Sequence, residues 1–542
     1  MKIALAQLNY RVGDFAGNAA KIVEAARKSA DADLVVFSEM ALPGYFPYDS
    51  ILFSDFVGKN EAALNDIAAQ CHDIPVLVGC VLGEQTETGK KLYNCAVFMH
   101  KGQRKVFKKR HVSASPLSDE RDYFAPFDGQ ESLLEIDGMR IAVTIGDDLA
   151  NHGDDPLLMH NRVDGMLGLH PNLIVNMAAS PFDYTMPEKR RSTLCQTVLK
   201  HEIPVVFVNQ VGANTNIIYD GGSMAFAANG HVDAALPFFK EEVKTIDTDT
   251  LYTYMPAADD MTIPHKMQLI HDAIVLGVSD YFGKMGFKSA VVGLSGGLDS
   301  ALVTYFAVKA LGADNVRVVL LPSQFSTGHS VSDAEALAQK LGIHYDIVPI
   351  KPMYDGFENA LKDIFAGRDF DVTEENLQAR IRGVVLMAIS NKFGNILLNT
   401  SNKSEASVGY GTLYGDLCGG LSVIGDVYKS EAYDLARHIN ADEEIIPWHT
   451  IDKAPSAELR PDQKDSDSLP DYGTLDKILY QYIECSQPAE AIIAQGFDPA
   501  VVNKTIGMVN RNEFKRQQVA PILRVSPRAF GAERVIPVVA KF

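Results

Sequence analysis

Six consecutive residues, Ser295-Gly296-Gly297-Leu298-Asp299-Ser300, put two glycines, two hydroxyls and one carboxylate into a single turn. Paired glycines let a chain turn tightly and aim successive N–H groups at an oxyanion. The serine hydroxyls add donors for phosphate oxygens, and Asp299 can hold a magnesium ion that bridges those oxygens. No lysine stands where a GxxxxGK[ST] loop needs one, so this is a different phosphate-binding device. A plain strand-to-helix turn would require the glycines but neither the serines nor the aspartate.

The elements around the loop suit that chemistry. Ser289–Leu294 reads as a buried strand and Ala301–Leu311 as a helix, so the loop's N–H groups share the positive end of a helix dipole. A helix is expected over Lys266–Met285, with further parallel strands at Val316–Leu321, His344–Ile350 and Asn395–Asn399. Residues Asp452–Tyr472 are polar and irregular; a stretch this long in a compact domain is more often a functional loop than a packed one. The first half also alternates strands with helices. Its strands are Lys2–Leu8, Asp33–Ser38, Pro75–Gly79, Ile141–Ile145, Leu173–Ala178 and Val205–Gln210, and Ala16–Ser29 and Asp55–Cys71 carry helical spacing. The turn-rich, acidic run Met255–Pro264 separates the halves.

Composition narrows the function class. A chain of 542 residues is long enough for large cores without disulfide or metal staples. Its 50 Lys+Arg against 69 Asp+Glu leave a net charge of −19, a field that repels nucleic acid and anionic membranes. A small anionic ligand remains possible, because it needs only a local nest of donors or a metal ion. The six cysteines form no CxxC pair, which argues against a disulfide framework and a zinc site. The first residues read as a strand rather than a signal peptide, and no apolar run reaches bilayer length; a cytoplasmic protein is expected.

The Ser295–Ser300 loop resembles that of the N-type ATP pyrophosphatases, which activate a carboxylate or carbonyl as an adenylate and release pyrophosphate. Downstream runs narrow the resemblance to the NAD synthetase family: Leu321–Ser326 with His329-Ser330, Glu375–Gly383, Thr400–Glu405 continuing to Asp416, Lys453–Leu459 and Asn512–Arg516. A GMP synthetase is the alternative within the same superfamily. The resemblance implies that Ser295, Gly296, Gly297, Asp299, Ser300 and Thr400 bind ATP, and that Asp299 and Glu405 hold Mg2+ on its phosphates. It further implies that Lys429 stabilises charge at the α-phosphate or pyrophosphate, and that Asn376, Arg380, Arg382 and Lys515 contact deamido-NAD+. Asp416 would steer and deprotonate ammonium beside the adenylate. Arg380 and Arg382 stand two apart on a helix and so on different faces; one is expected to reach ligand and the other to make a structural ion pair. The Asp452–Tyr472 segment would serve as a lid against water. The family often has Gly after the Thr; here it is Ser401, a substitution that matters if the backbone requires a positive φ.

In the first half, Phe37–Tyr45 resembles the nitrilase (carbon-nitrogen hydrolase) family around its catalytic Glu, here Glu39. Lys108–His111 with Asp119–Phe124 resembles its catalytic-Lys segment, placing Lys109. Such a glutaminase joined to a synthetase is the architecture of the glutamine-dependent NAD synthetase family. In that family Glu is the base, Lys stabilises the oxyanion and Cys attacks the glutamine amide. At the Cys position this chain has Gly146, in Ile145-Gly146-Asp147-Asp148, and Gly cannot form a thioester. Cys195 lies in a helical pattern and reads as a small core residue, not a substitute. The surroundings differ from the family too: Val112-Ser113, Ala150, Ser180–Met186 and Ala213–Asn216 replace its usual residues. Several losses around one pocket point to a naturally decayed glutaminase, in which Glu39 and Lys109 persist as a buried ion pair.

The sequence therefore predicts an α/β protein: a nitrilase-like αββα sandwich over 1–250, a linker over 251–265, and a Rossmann-like parallel-sheet ATP pyrophosphatase domain over 266–542. The expected reaction is ATP-dependent amidation of deamido-NAD+ with free ammonia, in a homodimer or larger homo-oligomer. The alternatives are glutamine hydrolysis through an altered nucleophile, or a pseudo-glutaminase half with a regulatory or scaffolding role.

Overall fold

Alternate residues of the strand Lys2–Gln7 enter different cores, Ile3 and Leu5 one and Ala4 and Ala6 another, as a two-residue repeat dictates for a sheet covered on both faces. The computed structural model describes residues 1–541 except 88, 150–160, 254–260 and 462. The chain divides into two compact units, Met1–Pro264 and His265–Phe542. Linker residues 254–260 and Ala150 lie outside the described residues.

The first unit contains two six-stranded sheets. Lys2–Gln7 sits second in one, paired antiparallel with Glu242–Asp247 and parallel with Leu34–Val36. Leu173–Ala178 is central in the other, parallel to both Met139–Ile145 and Val205–Asn209. Ile3, Leu5, Val36 and Leu77 of the first sheet share a core with Ile145, Val175, Met177 and Val208 of the second. The outer face of the first sheet, through Val35 and Val78, packs with Ile22 and Ile67 of the helices Phe15–Lys28 and Phe56–Gln70. That of the second, through Ile174 and Phe207, packs with Leu194 and Val198 of the helix Met186–His201. The layers run helix, sheet, sheet, helix, the expected αββα sandwich. Cys195 is half-buried at the edge of that last core, its thiol directed at the Gly230 carbonyl.

The second unit is built on a five-stranded parallel sheet in the order His344–Ile347, Val316–Leu320, Ala290–Gly293, Ile396–Asn399, Leu421–Ser422. Val291, Val319 and Leu397 pack on one face with Tyr354 of the helix Lys351–Leu361 and with Ile381 and Leu386 of Val372–Phe393. The helix Leu298–Leu311 follows the central strand and packs against Lys266–Met285 and Lys429–Ile439. It begins at Leu298 rather than at the expected Ala301. Gly297 is its N-cap, with its carbonyl accepting from Ala301 N–H at 3.1 Å, so Asp299 and Ser300 lie in the first helical turn. Among the described residues no helix is long and apolar enough to cross a membrane.

Candidate functional site

The strand order of the second unit reverses around Ala290–Gly293, the place where open α/β sheets bind ligands beyond their strand ends. A cavity of about 320 Å3 opens there, lined by Ser295, Gly297, Asp299, Ser300, Thr400, Ser401, Glu405, Asp416, Lys429 and Arg382. Gly296 is required by geometry twice over. Its φ is +81°, and a Cβ on it would stand 2.1 Å from the Ser330 carbonyl oxygen. Ser300 Oγ lies 3.1 Å from Ser295 Oγ and donates to the Gly297 carbonyl at 2.9 Å, which holds the loop closed on itself. Ser401 has no positive φ, so the residue after Thr400 needs no glycine.

Charge at the cavity converges on three side chains. The Lys429 ammonium bonds to Asp299 Oδ2 and stands 3.6 Å from Glu405 Oε1. Burial, with the neighbouring Asp299 carboxylate, lifts the Glu405 carboxyl to about 8. Burial acts against the Lys429 charge, yet Asp299 and Glu405 outweigh it and hold the ammonium on. The two carboxylates form a hard-oxygen donor set, and the lysine supplies positive charge in contact with both. That set suits Mg2+ completed by phosphate oxygens and water. Among the described residues no cluster of three or more His, Cys, Asp or Glu side chains is arranged to hold a metal by itself.

Asp416 lines the cavity and is exposed. Desolvation by the surrounding protein raises its carboxyl, while the Thr412 N–H, donating at 2.6 Å, and the cations Lys515 and Arg382 lower it. Arg382 lines the cavity and donates to the Leu321 carbonyl at 3.1 Å; desolvation brings its guanidinium down to about 10. The remaining expected ligand contacts gather behind Asp416 on the segment 409–413. Lys515 Nζ donates to the carbonyls of Gly409 and Gly411, both at 2.8 Å. Arg380 donates to the Leu413 carbonyl at 3.3 Å, and Asn376 Oδ1 accepts from Thr412 Oγ1 at 2.7 Å. The ion pair expected of one arginine is corrected: both donate to backbone carbonyls, and among the described residues neither makes an ion pair. A guanidinium aimed at a loop carbonyl can fix backbone without a carboxylate.

The irregular segment after Asp452 forms one wall of the cavity through Lys453–Leu459 and Asp465. Sequence reasoning did not single out its anchors. Glu458 accepts from Ser330 Oγ at 2.7 Å and Thr327 Oγ1 at 3.0 Å, at the N-terminus of the helix Gly328–Leu341. Gln378 donates to the Leu459 carbonyl at 2.9 Å, and Asp465 accepts from Tyr472 at 2.9 Å and Tyr410 at 3.2 Å.

In the first unit, Glu39 and Lys109 form a buried pair at 2.8 Å, each 2% exposed. A third member, fully buried Glu120, stands 2.7 Å from the same ammonium. Its signal was its place in the Asp119–Phe124 run. Asn94 Nδ2 donates to both carboxylates, at 2.6 Å and 3.0 Å, and the N–H groups of Ala179 and Ser113 donate at 3.1 Å and 2.8 Å. Burial lifts the Glu39 carboxyl to about 7 against the pull of Lys109. Burial also opposes the Lys109 charge, but Glu120 and Glu39 hold it well above the ordinary lysine value. Gly146 follows the strand Met139–Ile145 with φ +49°, and a Cβ there would stand 2.7 Å from Glu39 Oε2 and 2.9 Å from Lys109 Nζ. The position therefore points straight at the pair, with no side chain to react.

Comparison with known proteins covers both units. The carbon-nitrogen hydrolase family profile matches residues 2–254, and the NAD synthase profile matches residues 270–519. A relative from Synechocystis sp., named glutamine-dependent NAD(+) synthetase, is 41% identical over 100% of this chain and 99% of its own length. One of the same name from Thermotoga maritima is 37% identical over 100% and 99%. A solved structure from Acinetobacter baumannii, a glutamine-dependent NAD+ synthetase in complex with adenosine diphosphate, is 36% identical with a TM-score of 0.77, covering 99% of this chain and 98% of that one.

Proposed function

We propose that this chain, which belongs to the glutamine-dependent NAD(+) synthetase family, is an NAD+ synthetase that amidates deamido-NAD+ with ATP and takes its nitrogen from free ammonia. The synthetase half of this reading is supported by the cavity that gathers the Ser295–Ser300 loop, Asp299, Glu405, Lys429 and Asp416. The nicotinate carboxylate of deamido-NAD+ would attack the α-phosphate of ATP, giving an adenylate and pyrophosphate. Ammonia would then attack the activated carbonyl and expel AMP. The loop's N–H and hydroxyl groups would hold the pyrophosphate oxygens, and Lys429 would offset the charge that develops as they leave. Mg2+, held by Asp299 and Glu405, would neutralise the phosphates that must approach a carboxylate. Asp416 would attract ammonium into the cavity and accept its proton. Thr400 would contact ATP. Arg382 would meet the anionic substrate directly, and Asn376, Arg380 and Lys515 would contact deamido-NAD+ from around the 409–413 segment.

The single observation behind the nitrogen source is Gly146, which sets a bare Cα beside Glu39 and Lys109. The alternative, glutamine-dependent turnover through another nucleophile, is favoured by the names of the relatives. Comparing ammonium chloride with glutamine in ammonia-free buffer separates the two. NAD+ formation with ammonium and none with glutamine is expected; robust turnover with glutamine would overturn the ammonia reading. Asp299→Ala is expected to abolish NAD+ formation with either donor. A scaffolding role for the first unit in a homo-oligomer is the remaining expectation, and sedimentation of the full chain tests it.

A further inference from the structure

The side-chain amide of Asn399 has both donors and its acceptor oxygen engaged. Asn399 ends the strand Ile396–Asn399, one residue before Thr400, and is 5% exposed. Its Nδ2 donates to the carbonyl of Asp416 at 2.8 Å and to that of Cys418 at 3.3 Å. Its Oδ1 accepts from the Ser401 N–H at 3.0 Å and from Ser422 Oγ at 3.1 Å. The four bonds fix which way the amide faces, because only its NH2 can meet two carbonyls. The backbones also approach closely: a Cβ on Gly419 would stand 2.9 Å from the Asn399 Cβ.

We propose that Asn399 is a positioning residue that ties the Thr400-Ser401 edge of the nucleotide cavity to the turn carrying Asp416, so that the activated carbonyl and the incoming ammonia keep one spacing. The proposal rests on the reading of Asp416 as the group that receives ammonium. Arg380, Asn376 and Lys515 hold the same turn at residues 409–413, whereas Asn399 reaches it at Asp416 and Cys418 from the strand end. Asp416 faces the cations Arg382 and Lys515, from the helices Val372–Phe393 and Glu513–Arg516, and its neighbour Cys418. Among the described residues none of these bonds to Thr400 or Ser401, the edge that Asn399 meets through Ser401 N–H. Asn399 touches both sides through one planar group.

The test uses the full chain carrying Asn399→Asp, which keeps the shape and removes both donors. The kcat/KM for ammonium is expected to fall about tenfold to a hundredfold, with KM for ATP changed by less than about threefold. The acid limb of the pH–rate profile should move to higher pH, because a second carboxylate nearby disfavours ionisation of Asp416. A purely structural amide would lower only the yield of folded protein. Unchanged kcat/KM for ammonium in the folded fraction would overturn the proposal. Should the variant fail to fold, Ser422→Ala removes one bond from the same amide. A drop in kcat/KM for ammonium with constant ATP KM supports the proposal, and no drop overturns it. The wild-type chain is assayed alongside: if it forms no NAD+ from ammonium, the reaction reading itself falls and this proposal with it. A working wild type with an indifferent Asn399 removes this proposal alone.

Discussion

Gly146 has no side chain, and that absence has sharp consequences. Introducing a thiol with Gly146→Cys would force a Cβ to 2.7 Å from Glu39 Oε2 at a φ of +49°. The variant is expected to lose about 1–3 kcal/mol of stability in urea denaturation and to gain no glutamine-supported NAD+ formation. Either a wild-type denaturation midpoint or measurable glutaminase activity would show that the pocket still accommodates a nucleophile. Glu39 carries a second consequence. Its carboxyl is lifted from 4.5 to about 7, so the stability linked to its proton is fully present below pH 4.5 and is lost as pH rises through about 7. Lys109 is raised above its ordinary value and keeps its proton through that window. The stability difference between wild type and Glu39→Gln should therefore shift against the wild type as pH is raised from 4.5 to 7. A difference that stays flat, measured by chemical denaturation at several pH values, would contradict burial as the cause.

The elements that matter most are two loops with opposite habits. The Ser295–Ser300 turn leaves no room for a side chain at Gly296 beside the Ser330 carbonyl, so Gly296→Ala is expected to abolish detectable ATP binding in calorimetry. The segment after Asp452 is instead anchored by polar side chains, with Glu458 on Ser330 and Thr327 as its latch. If this wall excludes water, Glu458→Ala should raise the ratio of AMP released to NAD+ formed, as a leaking adenylate is hydrolysed. An unchanged ratio would remove the lid role. Both loops meet at Ser330, which the sequence placed only in a run resembling the family. The loop itself was legible because glycine, serine and aspartate have few other reasons to be adjacent. The latch was not, because Glu458 and Ser330 are separated by 128 residues and only the fold pairs them.

At the scale of the whole molecule, two units with separate cores carry different fates. His265–Phe542 contains its own sheet and buried clusters, so that fragment is expected to fold alone with one cooperative transition in thermal unfolding. The sequence by itself determined the fold class, the Gly-Ser-Asp turn at Ser295–Ser300 and the glycine at position 146. These depend on residue identity and on alternation over a few positions, and local chemistry restricts both. Only the tertiary structure decided how the site is assembled. It brought Lys429 between Asp299 and Glu405, added Glu120 and Asn94 to the Glu39–Lys109 pair, and turned both arginines onto backbone carbonyls rather than into an ion pair. Hydrogen bonds and charge pairs act over about 3 Å, and residues a hundred positions apart come within that reach only when the sheet and its helices have closed.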